Sequence, residues 1–157
     1  MTITFIQIEK TQDSYLNEGI DIYLKRLKNY CALDVITINV PKNVRQKSEK
    51  EQKNEEAKLI LKQLKPADFV VLLDENGKQI NSVAFSQFIN QKQNAGTKRL
   101  VFIIGGPFGF DELIYERANY KLGLSLMTFS HQMVRLFFVE QLYRAYTILA
   151  GEKYHHL

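Results

Sequence analysis

The sequence contains a single cysteine, Cys31, in 157 residues. One thiol cannot close a disulfide within the chain and cannot supply the ligands of a cysteine-based zinc site, so both are excluded. Cys31 is expected to be a small buried hydrophobic residue rather than a catalytic thiol.

Long apolar runs and targeting signals are also lacking. No stretch approaches the roughly 18 apolar residues that a transmembrane helix needs. The start, Met1–Lys10, has neither the basic segment nor the small-residue cleavage site of a signal peptide, so we expect a cytoplasmic protein with no membrane partner. Linkers, repeats and low-complexity tracts are missing, and residues 1–157 are therefore expected to form one domain.

The charge balance is basic, with a net charge of +4 and a pI near 9.1. The basic residues form two loose groups, within residues 25–28 and within residues 42–53. Such a balance permits a nucleic-acid partner through counterion release. Charge alone favours the simpler interpretation, a solvated surface.

Strand and helix patterns alternate along the chain. Strands are predicted at 2–9, 33–40, 68–74, 99–104 and 121–125, the third closed by a turn at Glu75-Asn76-Gly77. Helices are predicted at 16–27, 48–64, 82–93, 111–118 and 131–150, with Gly151 as the last cap and a charged loop before the second helix. This alternation is typical of an α/β fold, a mainly parallel sheet with helices on both faces.

The last predicted helix is apolar nearly all round, which indicates burial on more than one side. In so short a chain we expect one side to pack on the sheet and another on a second subunit in a two-fold dimer. Within this helix Glu140 and Arg144 have the favourable order for an intrahelical ion pair.

A glycine-rich turn, Gly105–Gly109, follows the strand at 99–104. Open α/β sheets bind ligands at the carboxyl ends of their strands, so the turn predicts a ligand site, with a purely structural turn as an even alternative. Its spacing matches neither the dinucleotide fingerprint nor a P-loop.

Three further positions leave alternatives open. Asp74 could bind a ribose hydroxyl or begin the following turn, and the turn is favoured. His131 could cap the helix, carry a proton, or lie satisfied near the helix start, which is favoured when it is taken alone. The segment Tyr154–His156 could be a frayed end or could contact an RNA base.

Several motifs together resemble the ribosomal RNA large subunit methyltransferase H family of the SPOUT superfamily. They are G-G-x-x-G within Leu100–Gly109, T-F-x-H-Q-x-x-R and E-Q-x-Y-R-A within Met127–Tyr146, and Tyr-His at 154–155. The resemblance covers the whole chain. It implies a homodimer with a C-terminal trefoil knot that methylates N3 of a pseudouridine in 23S rRNA of the assembled ribosome, with S-adenosylmethionine as donor.

The resemblance also assigns site residues. It places the donor pocket on Leu73, Gly105, Leu124, Ser125, Leu126, Met127, Thr128 and Phe129. Arg135 is expected to stabilise the deprotonated base, and His155 to position the base or take its proton. Tyr154 is the third expected catalytic residue, in contact with the substrate. The expected substrate-binding residues are His131, Arg144 and His156. No metal is expected, since the donor's sulfonium is already electrophilic. The alternatives are a non-catalytic RNA- or ribosome-binding dimer and a methyltransferase with another RNA target.

Overall fold

The computed structural model describes residues 1–156. Its strands are β1 (Thr2–Ile8), β2 (Ala32–Ile38), β3 (Phe69–Gln79), β4 (Arg99–Ile104) and β5 (Tyr120–Gly123). Its helices are α1 (Ser14–Leu27), α2 (Lys42–Arg45), α3 (Glu49–Leu61), α4 (Ser82–Asn94), α5 (Glu112–Arg117) and α6 (Met133–Leu149). The predicted alternation of strands and helices is confirmed.

The strands form one sheet in the order β2-β1-β4-β3-β5, and every neighbouring pair is parallel. The central strands β1 and β4 are buried along almost their whole length, as their runs of β-branched residues predict. All carboxyl ends therefore lie along one edge of the sheet.

Helices cover both faces of the sheet. On one face α6 packs between α1 and α4, and the ring of Phe138 lies 5.2 Å from that of Phe5 and 4.8 Å from that of Phe102. On the other face Ile60 of α3 and Ile114 of α5 pack on the sheet. Burial of one such large side chain contributes roughly 1.5–3 kcal/mol. The α/β fold with helices on both faces is thus as predicted.

The turn predicted at residues 75–77 is wrong, because β3 continues to Gln79. The strand bulges instead: Leu73 and Lys78 both pair with Leu122 of β5. A Cβ on Gly77 would lie 2.5 Å from the backbone carbon of Leu122, so this glycine serves a close approach of two backbones rather than a turn.

Smaller differences concern element ends and Cys31. Residues 42–45, expected as loop, form the short helix α2, which buries only Val44. Helix α6 begins at Met133, two residues later than predicted, and Gly151 follows it with the expected positive φ of 70°. Cys31 is half-buried, and desolvation raises the pKa of its thiol, which stays protonated at neutral pH.

The apolar surface of α6 is covered largely within the chain, by the sheet, α1 and α4. The side chains of Phe137 and Leu149 remain 40% and 39% exposed. The dimer therefore stays a prediction. The apolar surface of α6 that remains for a partner subunit is provided by Phe137 and Leu149. No helix within residues 1–156 has the length and apolar character needed to cross a membrane.

Candidate functional site

A cavity of about 990 Å³ opens at the carboxyl ends of β3 and β4. We call it the glycine-turn pocket, because the turn after β4 forms part of its lining. The other lining segments are residues 73–76 of β3, the segment after β5 and the turn before α6, and α3 contributes Lys50 and Lys53. The parallel sheet explains this convergence, since the segments after neighbouring strands leave from the same edge.

The turn itself is closed by backbone contacts. Gly109 N donates to Gly106 O at 3.1 Å, and Gly109 has a φ of 79°, which favours glycine. A Cβ on Gly105 would lie 3.2 Å from both the Gly109 carbonyl oxygen and Cε1 of Phe110, closer than ordinary van der Waals contact. The absence of side chains at 105 and 106 lets the turn fold back tightly beside the cavity.

Asp74 lies in the pocket lining with its carboxylate held from two sides. Asn76 N donates to its Oδ1 at 2.8 Å, and the Tyr115 hydroxyl donates to its Oδ2 at 2.5 Å. Burial, and then the Asp74 carboxylate, raise the pKa of Tyr115, so the phenol remains a neutral donor. Asp74 does not begin the turn that sequence reasoning favoured, because β3 continues through it. It makes these two local contacts instead, and it also lies where a polar ligand group can reach it.

The segment after β5 lines the same cavity from the other strand end. Within it Met127 N donates to Ser125 Oγ at 2.9 Å, and Thr128 Oγ1 donates to Glu75 Oε2 at 2.9 Å. Phe129 packs on Phe137 of α6 with ring centroids 4.8 Å apart. These contacts hold the segment against β3 and α6, which places its backbone at the pocket.

Glu56 of α3, which sequence reasoning missed, lies beneath the turn. Its side chain is buried, and both carboxyl oxygens lie 3.1 Å from where a Cβ on Gly106 would be. Burial, and then the charge of Glu9, raise the pKa of Glu56 to about 7. Only the fold brings residues 56 and 106 together, so no local motif could have identified this contact.

Comparison with known proteins decides the family. A family model described as "Predicted SPOUT methyltransferase" matches residues 1–155. Proteins named "Ribosomal RNA large subunit methyltransferase H" from Flavobacterium johnsoniae, Parabacteroides distasonis and Bacteroides fragilis are 54%, 50% and 46% identical, each over 99% of both chains. The chain belongs to the SPOUT methyltransferase family. The predicted resemblance, the enzyme class and the donor, S-adenosylmethionine, are confirmed.

A solved structure supports the fold of this SPOUT methyltransferase. A probable methylase family protein from Haemophilus influenzae aligns with a TM-score of 0.53 at 12% identity, over 99% of this chain and 70% of that one. At that identity the likeness concerns the fold alone.

Most residues predicted for the donor pocket of the SPOUT methyltransferase lie together. The pocket lining includes Leu73, Gly105, Leu124, Ser125, Met127, Thr128 and Phe129. Leu126 is not among the lining residues, and its side chain is 91% exposed. The assignment of these residues to the donor stays a prediction. For Leu126, whose side chain is exposed, the simplest role is a main-chain contact with the donor.

Arg135 lies outside the pocket lining and is fully buried. Its Nη1 donates to Glu9 O and Thr11 Oγ1, each at 3.0 Å, and its Nη2 donates to Ile8 O at 2.5 Å. Burial lowers the pKa of this guanidinium, although an arginine remains charged at neutral pH. These contacts fasten α6 to the end of β1, so the geometry favours a structural role over the predicted catalytic one.

His131 does line the pocket, in the turn that precedes α6. Burial, and then the charge of Arg135, lower the pKa of His131, so its imidazole is neutral at pH 7. A neutral imidazole presents both an acceptor and a donor nitrogen, and both suit contact with a nucleobase.

The tail residues of the SPOUT methyltransferase gather at the far end of α6, in what we call the tail cluster: Glu140, Arg144, Tyr154 and His155. Arg144 Nε and the Tyr154 hydroxyl donate to Glu140 Oε1 at 3.1 and 3.0 Å, which confirms the predicted ion pair of Glu140 and Arg144. His155 Nδ1 lies 3.3 Å from Arg144 Nη1, and the Arg144 guanidinium lies 4.7 Å from the Tyr154 ring centre.

The tail cluster does not line the pocket of its own chain. Val134 of α6 lines that pocket, and Glu140 and Arg144 follow it by six and ten residues, about 9 and 15 Å along the helix axis. None of Arg144, Tyr154, His155 and His156 lines the glycine-turn pocket, and His156 is exposed. Within residues 1–156, no group of three or more His, Cys, Asp or Glu side chains is arranged to hold a metal ion.

Proposed function

We propose that this protein transfers the methyl group of S-adenosylmethionine to N3 of a pseudouridine in 23S rRNA of the assembled ribosome. The names of relatives up to 54% identical over nearly the full length support an rRNA substrate. The observation that carries the proposal is the convergence of Leu73, Gly105, residues 124–125 and residues 127–129 on one cavity at the carboxyl edge of the sheet. Action on ribosomes places the protein in the cytoplasm.

The residues of the pocket fit this donor. The side-chain-free turn at Gly105 leaves backbone groups open to a ligand, and Leu73 and Leu124 provide apolar surface for an adenine ring. Carboxylates at Asp74 and Asp111 lie in the same lining and complement the positive sulfonium and ammonium groups of the donor. A cavity of about 990 Å³ also leaves room for the target base.

When bound, S-adenosylmethionine supplies an electrophilic methyl group that an attacking nitrogen can accept directly. The protein must orient the base so that N3 faces this methyl group, and must assist loss of the weakly acidic N3 proton. His131 faces the pocket with a neutral imidazole and can hold the base by hydrogen bonds. His155 remains the proposed acceptor of the proton.

The tail cluster can serve the reaction by reaching the pocket of a partner subunit. A homodimer in which the tail of one subunit lies over the pocket of the other provides this arrangement. The exposed face of α6 around Phe137 is the surface proposed for the contact. The trefoil knot stays a prediction; the tight passage of Gly77 against β5 is compatible with a chain threaded closely at this edge.

Mass spectrometry of 23S rRNA tests the proposal. In a strain lacking the gene, one methylated pseudouridine is expected to be lost, and the wild-type gene is expected to restore it. Unchanged 23S rRNA, with a methyl group missing from a tRNA instead, would favour another RNA target. Unchanged RNA together with no binding of S-adenosylmethionine in solution would favour the non-catalytic binding dimer.

A further inference from the structure

Charged groups in the glycine-turn pocket are divided between elements. The carboxylates belong to β3 and to the start of α5: Asp74, Glu75, Asp111 and Glu112. The two ammonium groups, on Lys50 and Lys53, belong to α3. A positively charged donor complements the carboxylates, but it leaves the lysines without an evident role.

Neighbouring acids do not neutralise these lysines. Glu51 completes a capping box with Ser48, since its carboxylate accepts from Ser48 N at 3.1 Å. Glu55 pairs with Lys58 at 2.9 Å. Across the described residues 1–156, neither Lys50 nor Lys53 has an ion-pair partner within 4 Å. Two lysines that make no direct ion pair at a cavity are suited to an anionic ligand.

The positive charge also continues outside the cavity. Lys47 is exposed and precedes α3, so Lys47, Lys50 and Lys53 are spaced three residues apart. We call these three residues the α3 basic strip. Lys50 and Lys53 lie three residues apart on α3, about 5–6 Å from each other, and Lys47 extends the series from the segment before the helix. Neighbouring phosphates of one strand can therefore each meet a lysine.

An aromatic ring accompanies the strip. Phe108 lines the same pocket and is 42% exposed, which leaves part of its ring open to solvent. Basic side chains that follow a backbone, together with an exposed aromatic ring on which a base can stack, are the usual elements of single-stranded nucleic-acid recognition.

We propose that the α3 basic strip binds phosphates of the rRNA strand that flanks the target nucleotide, and thereby directs the target base into the pocket beside Phe108. This inference rests on the proposed function and names the part of the protein that holds the RNA. The carboxylate of the donor is the alternative anion that Lys50 and Lys53 could bind. The arrangement favours RNA, because Lys47 does not line the cavity in which the donor is proposed to bind.

The test uses the full-length protein with Lys50→Gln and Lys53→Gln combined, and Lys62→Gln as the matched control. Lys62 is exposed at the end of the same helix and does not line the pocket, so the control removes charge without touching the site. The substrate is the assembled ribosome from a strain that lacks the gene. Filter binding and methyl transfer are measured from 50 to 300 mM salt, and donor affinity by calorimetry.

We expect the double variant to bind ribosomes roughly tenfold more weakly, and the slope of log affinity against log salt to fall by about 1.4–1.8 for two lost phosphate contacts. The KM for ribosomes should rise in parallel, while donor affinity and the Lys62→Gln control remain as in the wild type. A double variant with the wild-type salt slope would overturn the inference, and so would one that loses donor affinity instead.

Failure of the proposed function gives a different result. In that case the wild type binds ribosomes but transfers no methyl group to them. The filter-binding measurement still tests the inference. If the double variant loses affinity for ribosomes and the Lys62→Gln control does not, the strip binds RNA, whichever reaction the protein catalyses.

Discussion

Replacement of Gly105 by alanine is expected to weaken donor binding about tenfold, or ~1.4 kcal/mol. The added Cβ would lie 3.2 Å from the Gly109 carbonyl oxygen and 3.2 Å from Cε1 of Phe110. Both atoms belong to the turn that lines the pocket, so relief of the contact must displace that turn by a few tenths of an ångström. A misplacement of about 1 Å in a preorganised site costs roughly a hundredfold, so a smaller shift costs correspondingly less.

Gly19→Ala is the matched control for this prediction. Its Cβ would lie 3.0 Å from Cδ1 of Leu136, where α1 packs on α6 away from the pocket. Both variants introduce one overpacked methyl group, but only Gly105→Ala places it beside the ligand site. Calorimetric titration with S-adenosylhomocysteine measures affinity, and thermal unfolding confirms that both variants are folded. A folded Gly105→Ala protein with wild-type affinity would refute the reasoning, as would an equal loss of affinity in Gly19→Ala.

The dimer, a buried acid and the tail each allow a further test. Phe137→Asp should yield a folded monomer, as measured by light scattering. Phe138→Asp should instead unfold the protein, because only Phe138 is buried among core rings. A Phe137→Asp protein that remains dimeric would exclude the face of α6 around Phe137 as the dimer contact. Burial raises the pKa of Glu56 from 4.5 to about 7, so folding disfavours its ionised form. The free energy of unfolding therefore falls as pH rises from 4.5 to about 7. Glu56→Gln should therefore raise the free energy of unfolding in urea by up to about 3 kcal/mol above pH 7 and leave it unchanged below pH 4, and equal curves for both proteins would contradict the shift. Removal of residues 154–157 should abolish methyl transfer to ribosomes with donor affinity retained, and retained turnover would show the tail to be dispensable.

Local patterns in the sequence predicted the fold well where they reflect burial. Runs of β-branched residues at 2–8 and 99–104 are buried on both faces, and only a central parallel strand has that pattern. The prediction of a turn at Glu75-Asn76-Gly77 was wrong for a physical reason. A glycine that permits a turn and a glycine that permits close approach of two backbones look identical in a single sequence. The distinction depends on β5, more than forty residues away.

The candidate site was predicted unevenly for a related reason. Residues identified by motif, such as Gly105 and Thr128, lie in the pocket lining. Glu56 and Lys53 have no motif, and their positions follow from the packing of α3 beneath the turn. Arg135 belongs to a motif yet does not line the cavity. A motif identifies a residue type at a position, but it does not show whether that side chain contacts a ligand or packs within the fold.

Helix α6 connects these observations physically. Its first turn lies beside the pocket through Val134, and its last turns carry the tail cluster. Arg135 fixes the position of the helix against β1 through three hydrogen bonds, two of them to main-chain carbonyls. Loss of this side chain would leave buried carbonyls unpaired, at a cost of about 1–3 kcal/mol each. A loss of activity in an Arg135 variant would therefore be expected from displacement of both ends of α6, even though its guanidinium touches neither the pocket nor the tail cluster.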